Sequence, residues 1–101
     1  MNRRLYAVVS ERGPNWEDGK SMEEHPDWRA HADFMNALVT EGFILLGGPL
    51  VGTPEVLLIV RAQCEQEVRD RLSADVWVAG GLLRQRLIAP WWVRLSAFDA
   101  T

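Results

Sequence analysis

His31 is the residue of this sequence best suited to moving a proton. Imidazole is the side chain that titrates near neutrality without help from its surroundings. His31 stands in the stripe Trp28, His31, Phe34, Met35, Leu38, Val39, whose helical spacing turns it toward the apolar side of a helix. A structural histidine suits the same position, so residue type and place leave both readings open. His25 precedes Pro26 and reads as a loop residue. Six positions separate the two histidines, which puts them on different helix faces and makes them a poor pair of metal ligands. Cys64, the single cysteine, opens a helix, where the dipole can favour a thiolate, yet the spacing Cys64, Val68, Leu72 turns it inward as an inert thiol. Asp75 stands where an N-cap belongs, ahead of the short run Val76–Ala79. Gly47-Gly48-Pro49 either lets backbone approach a ligand or makes a turn of unusual φ. No Lys-Ser/Thr follows it and no helix begins there, so it is no phosphate loop. Ser10 lacks the Gly-x-Ser-x-Gly surroundings of a nucleophile elbow. Among the five tryptophans, Trp28 is one turn before His31 and can wall a pocket for an aromatic ligand. Trp91 and Trp92 face opposite sides of one strand, so at most one of them lines a given cavity, and core or dimer contact is the other reading for the tryptophans.

The elements that must carry these residues follow from periodicity and punctuation. Arg4–Ser10 is a strand apolar on both faces, closed by Arg12-Gly13-Pro14-Asn15. Glu11 to Glu24 is a long polar loop, and long loops of this kind are usually functional. Ser21-Met22-Glu23-Glu24 reads as a capping box. Pro26 to Glu41 is the main helix, with Pro26 at its first position and Gly42 at its stop. Phe43–Leu46 is a second strand, broken by Gly47-Gly48-Pro49, and Val56–Val60 is a third. Cys64 to Ser73 is a second helix, with Glu65–Arg69 and Glu67–Arg71 paired on its outer face. Val76–Ala79 is a single-turn helix, and Leu83–Leu95 a last strand in which Pro90 implies an edge or a bulge. The order is the split βαβ, or ferredoxin-like, βαββαβ pattern with a short extra helix, an α+β fold. Two helices cover one sheet face. The other face is apolar too, and a second copy of the chain covers it most economically, so a homodimer is expected.

Composition bounds what the site can serve. The 101 residues make one domain, 1–101, with a core of its own. With 11 Lys+Arg against 14 Asp+Glu, net charge is −3, so there is no basic excess for nucleic acid to bind. One cysteine excludes an intrachain disulfide and a multi-cysteine metal site, and no metal or cofactor is expected. The longest uncharged run, Gly42 to Pro54, is broken by glycine and proline and too short to span ~30 Å of hydrocarbon, so no membrane partner is expected. Leu5–Val9 is too short for the apolar region of a signal peptide, and the chain reads as a cytoplasmic protein.

Four segments in this order resemble the YCII-related family: His31-Ala32-Asp33-Phe34-Met35, Gly42 through Leu50, Asp75-Val76-Trp77-Val78-Ala79-Gly80-Gly81-Leu82, and Pro90-Trp91. Glu11-Arg12-Gly13-Pro14-Asn15-Trp16 is similar to one branch of it. The resemblance spans almost the whole chain. It departs at Asp75-Val76-Trp77, where the family has Asp-Pro-aromatic. It implies a ferredoxin-like protomer assembled as a dimeric α+β barrel, and a pocket between sheet and helices holding a histidine and an aspartate, here His31 and Asp75. One member is a dehydrochlorinase acting on a chlorinated hydroxyhydroquinone, and structural cousins include muconolactone isomerases. Carried over, this implies cofactor-independent lyase or isomerase chemistry on a small cyclic or aromatic compound. His31 is then acid or base and Asp75 orients it; beside this, Trp28, Gly48, Trp77 and Trp91 are expected to line the ligand pocket. A module that only binds or senses a small organic ligand, and a structural dimer whose His31 and Asp75 are a buried polar pair, stay open beside it.

Overall fold

The two segments that are apolar on both faces form the middle of a sheet. They are β1 (Arg4–Arg12) and β3 (Glu55–Ala62), antiparallel, with Tyr6 opposite Val60 and Val8 opposite Leu58. A computed structural model describes residues 4–98 of the chain. The edges are β2 (Ile44–Pro49) beside β3 and β4 (Leu83–Trp91) beside β1, giving the order β2-β3-β1-β4 with every neighbour antiparallel. Pro90 sits on an edge strand, the place open to a residue that cannot donate to both neighbours. Three helices complete the α+β domain: α1 (Trp28–Thr40), α2 (Glu65–Ser73) and α3 (Val76–Ala79). This order and pairing are compatible with the ferredoxin-like arrangement.

The helices pack on one face of the sheet. Leu38 of α1 and Val68 and Leu72 of α2 join Tyr6, Val8, Leu58, Val60 and Ala62 in a single core cluster. Leu5, Ala7 and Val9 point the other way, opposite Trp91, Ala89 and Leu87 of β4. Leu57 and Ile59 of β3 and Leu46 of β2 extend that open face, where Leu46 is 65% exposed.

Several boundaries differ from expectation for identifiable reasons. Gly47-Gly48-Pro49 continues β2 and makes no turn, and neither glycine has a positive φ. Gly47 is small for another reason: a Cβ there would stand 2.5 Å from Leu58 Cδ2. The helix expected at Pro26 starts at Trp28, because Asp27 takes a left-handed turn (φ 62°) and becomes the N-cap. Cys64 is the N-cap of α2, not a member of its inner stripe. Its extended backbone (φ −157°) takes the thiol off the helix, and it is exposed. Arg71 pairs with Glu41 of the α1 C-cap instead of Glu67, whose carboxylate accepts from Gln63 N–H at 2.8 Å. The Ser21–Glu24 box forms, with Ser21 N–H donating to Glu24 Oε1 at 2.7 Å, around a 3₁₀ turn over Met22–Glu24.

A candidate proton-transfer site at His31 and Asp75

The single-turn helix α3 is the element that builds the site. Asp75 caps it by accepting Trp77 N–H on Oδ1 at 3.1 Å. Both carboxylate oxygens also stand 2.9 Å from Nδ1 of His31, which α1 brings to meet them. A carboxylate only accepts, so His31 Nδ1 carries the hydrogen, and in the neutral ring the lone pair is on Nε2. Nε2 has no hydrogen-bond partner among the described residues. Asp75 and His31 are 2% and 8% exposed, so the pair is shielded from bulk water.

Trp77, two residues after Asp75, fixes the plane of the imidazole. Its ring lies flat on His31, with centroids 3.9 Å apart and planes 8° apart. Its Nε1–H donates to Pro26 O at 2.8 Å, so the left-handed turn that delays α1 also presents a carbonyl to the indole. Asp75 thus meets His31 in the ring plane and Trp77 meets it on the face, both from one four-residue helix. Trp28 adds a tilted contact to both rings, at 6.0 Å and 5.7 Å.

Behind Trp77 is the second histidine. His25 Nε2 accepts Glu17 N–H at 3.0 Å and Nδ1–H donates to Ser21 O at 2.8 Å, while Trp16 stacks on it at 3.8 Å. His25 is buried, with both nitrogens occupied by backbone, so it organises the long loop and takes no part in chemistry. The start of that loop is tied down as well. Gly13 N–H donates to Leu82 O and Asn15 N–H to Gly81 O, at 2.8 and 2.9 Å. A Cβ on Gly13 would lie 2.2 Å from Gly81 O.

His31 and Asp75 share a cavity of about 50 Å³ between helices and sheet, lined also by Ser10, Met35, Val56, Leu58, Leu72, Val78, Leu83 and Gln85. Three of these, Val78, Leu83 and Gln85, also wall a wider open cleft of about 410 Å³, together with Pro14, Arg69, Ser73, Gly81 and Arg84. Both arginines of the cleft have carboxylate partners, Glu65 and Glu11.

His31 and Asp75 are therefore brought together. The four residues expected to line the pocket are not part of this cavity. Trp77 and Trp28 buttress His31 from behind. Trp91, opposite Leu5, lies on the open sheet face, and Gly48 is on the edge strand opposite Leu57. Sequence reasoning missed Gln85 and passed over Ser10 as a cavity residue. Among the described residues no group of three or more His, Cys, Asp and Glu could hold a metal, and no helix is long and apolar enough to cross a membrane. Comparison with known proteins finds no matching family model, curated protein or solved structure.

Proposed function

We propose that the protein is a small-molecule enzyme in which His31, oriented by Asp75, transfers a proton without a cofactor. The observation that carries this reading is the clamp on His31: Nδ1–H held by both Asp75 oxygens at 2.9 Å, with Nε2 left unpartnered on a residue that lines a cavity. The Nε2 lone pair takes a proton from a carbon next to an electron-withdrawing group. The C–H electron pair moves into a new C–C π bond, and negative charge passes to the acceptor. Return of the proton to another carbon makes an isomerase; departure of a leaving group with its bonding pair makes a lyase. Asp75 and the Trp77 face stabilise the positive charge that the ring gains. The resemblance to the YCII-related family supports the same chemistry on small cyclic or aromatic compounds.

The same reading takes the protein as a homodimer in which open sheet faces meet as a dimeric α+β barrel. Leu5, Val9, Leu57, Leu87 and Trp91 support it, since a contiguous apolar face on a small domain marks an interaction surface. Light scattering at micromolar concentration should give twice the 11.5 kDa chain mass, and a monomer across dilution would remove the barrel.

The test of the chemistry is exchange in D₂O, followed by proton NMR, over a panel of cyclic ketones, lactones and chlorinated hydroquinones. Wild-type protein should introduce deuterium or release chloride, and His31→Asn should lower the rate by about 10²–10⁴, the share of a general base. An equal rate in His31→Asn refutes the role of His31. Saturable binding without turnover across the panel would assign the cavity to ligand holding.

A further inference from the structure

Gln85 Nε2 is the one side-chain nitrogen or oxygen among the described residues that is buried without a hydrogen-bond partner. A buried amide donor left unpaired is costly, and such groups call for a function or a ligand. Its position is itself the product of an irregularity. Val9 pairs with Leu87 but Ser10 pairs with Gln85, so Arg86 is the extra residue of a bulge in β4. Regular pairing would set Arg86 opposite Ser10, on the face toward the helices. The bulge sends Arg86 to the open face, where it pairs with Glu55 at 2.9 Å and Glu11 at 3.7 Å, and gives the inner position to Gln85. A permanent cation is thus exchanged for a neutral hydrogen-bond donor in the cavity that His31 lines.

Size sets where a ligand lies. A cavity of about 150 Å³ holds a benzene, so the 50 Å³ beside His31 admits the reacting end of a cyclic compound and not its ring. The ring belongs in the adjoining cleft, and Gln85 stands on the wall common to both spaces.

We propose that Gln85 positions the substrate by donating its amide N–H to a carbonyl oxygen, so that the site takes cyclic carbonyl compounds bearing a C–H next to the C=O. This rests on the proton-transfer reading of His31 and names the electron acceptor it requires. When Nε2 of His31 removes the proton, the electron pair moves through carbon to the carbonyl oxygen, and the Gln85 N–H meets the charge where it collects.

Cyclopentanone titrated into ¹⁵N-labelled protein tests this by NMR, with the Gln85 side-chain NH₂ signal assigned by its loss in Gln85→Met. Saturable shifts are expected at both Gln85 NH₂ and the His31 ring. Gln85→Met should weaken cyclopentanone about three- to tenfold without lowering Tm, because the amide makes no bond within the protein. Saturation at His31 with a silent Gln85 amide and wild-type affinity in Gln85→Met overturns the proposal and leaves the proton-transfer reading standing. No saturable shift at either residue overturns the carbonyl class, while the exchange panel still decides the role of His31. A lowered Tm with affinity kept would make the amide a structural group bonded to buried water, and also overturns it.

Discussion

Asp75→Asn replaces one oxygen at the centre of the site and reverses a hydrogen bond. In the substituted chain the amide oxygen keeps the cap on Trp77 N–H, and the amide nitrogen takes the place of Oδ2, 2.9 Å from His31 Nδ1. His31 Nδ1–H would then face an amide N–H donor on one side, and its remaining acceptor, the oxygen in the place of Oδ1 at 2.9 Å, is shared with Trp77 N–H. The imidazole relieves this by moving its hydrogen to Nε2 and accepting on Nδ1, so the unpartnered nitrogen carries a hydrogen and not a lone pair. Exchange of a charge-assisted bond for a neutral one costs about 1 kcal/mol. Asp75→Ala loses the cap as well, about 1 kcal/mol more, and leaves the histidine N–H buried and unpaired, for a total of about 3–4 kcal/mol. At about 4–8 °C per kcal/mol for a domain of this size, Asn should lower Tm by about 4–8 °C and Ala by roughly three times as much. Long-range ¹⁵N NMR reads the tautomer of His31 directly. The rate of proton transfer should fall in Asp75→Asn by less than the about 10²–10⁴ expected for His31→Asn, because the imidazole is still present, though in the wrong tautomer. A His31 that keeps its Nδ1 hydrogen in Asp75→Asn, with the rate intact, would refute the reasoning.

Gly13→Ala should destabilise by about 1–3 kcal/mol in thermal unfolding, because its Cβ meets the backbone at Gly81 O and the loop-to-turn hydrogen bonds must give way. Native protein should react rapidly with a thiol reagent at exposed Cys64, and Cys64→Ser should hold or slightly raise Tm, since serine is a favoured N-cap. Glu24 should titrate below the ordinary glutamate range, because Ser21 backbone N–H and then its side chain favour the carboxylate. The stability contributed by that capped turn is complete above the ordinary glutamate pKa and is lost as pH falls through the lowered one; a carbon-13 titration with an ordinary midpoint would show the box open.

β1 and β3 were legible as strands because both are rich in β-branched residues and apolar at both parities, a pattern suited to strands covered on two faces. The cap at Asp75 was legible from one polar residue before a short apolar run closed by two glycines, and the capping box from its spacing. What the sequence hid depends on contacts made far along the chain. Asp27 turns left-handed in a place where Pro26 carbonyl meets the Trp77 indole, 51 positions away. Gly47 is set by Leu58 on the neighbouring strand, not by its own torsion angles. Gln85 was invisible for a related reason. Alternation groups Leu83, Gln85 and Leu87 on one face, but the bulge at Arg86 puts Leu87 opposite Val9 on the open side. Trp28, Trp77 and Trp91 were expected at the pocket wall; Trp28 and Trp77 serve instead as struts behind His31, and Trp91 lies on the other sheet face, where a core or dimer contact was the alternative.

The shared wall of the two cavities also separates what can vary from what cannot. Pro14, Arg69, Ser73, Gly81 and Arg84 touch the wide cleft and not the chamber of His31. On the proposed reading, substitution there would change which part of a ligand is held and leave the imidazole clamp as it is. If the proposed site is right, directed evolution toward new ring substituents would have a natural library in the side chains at positions 14, 69, 73 and 84, with Gly81 left alone because its φ of 78° disfavours any side chain.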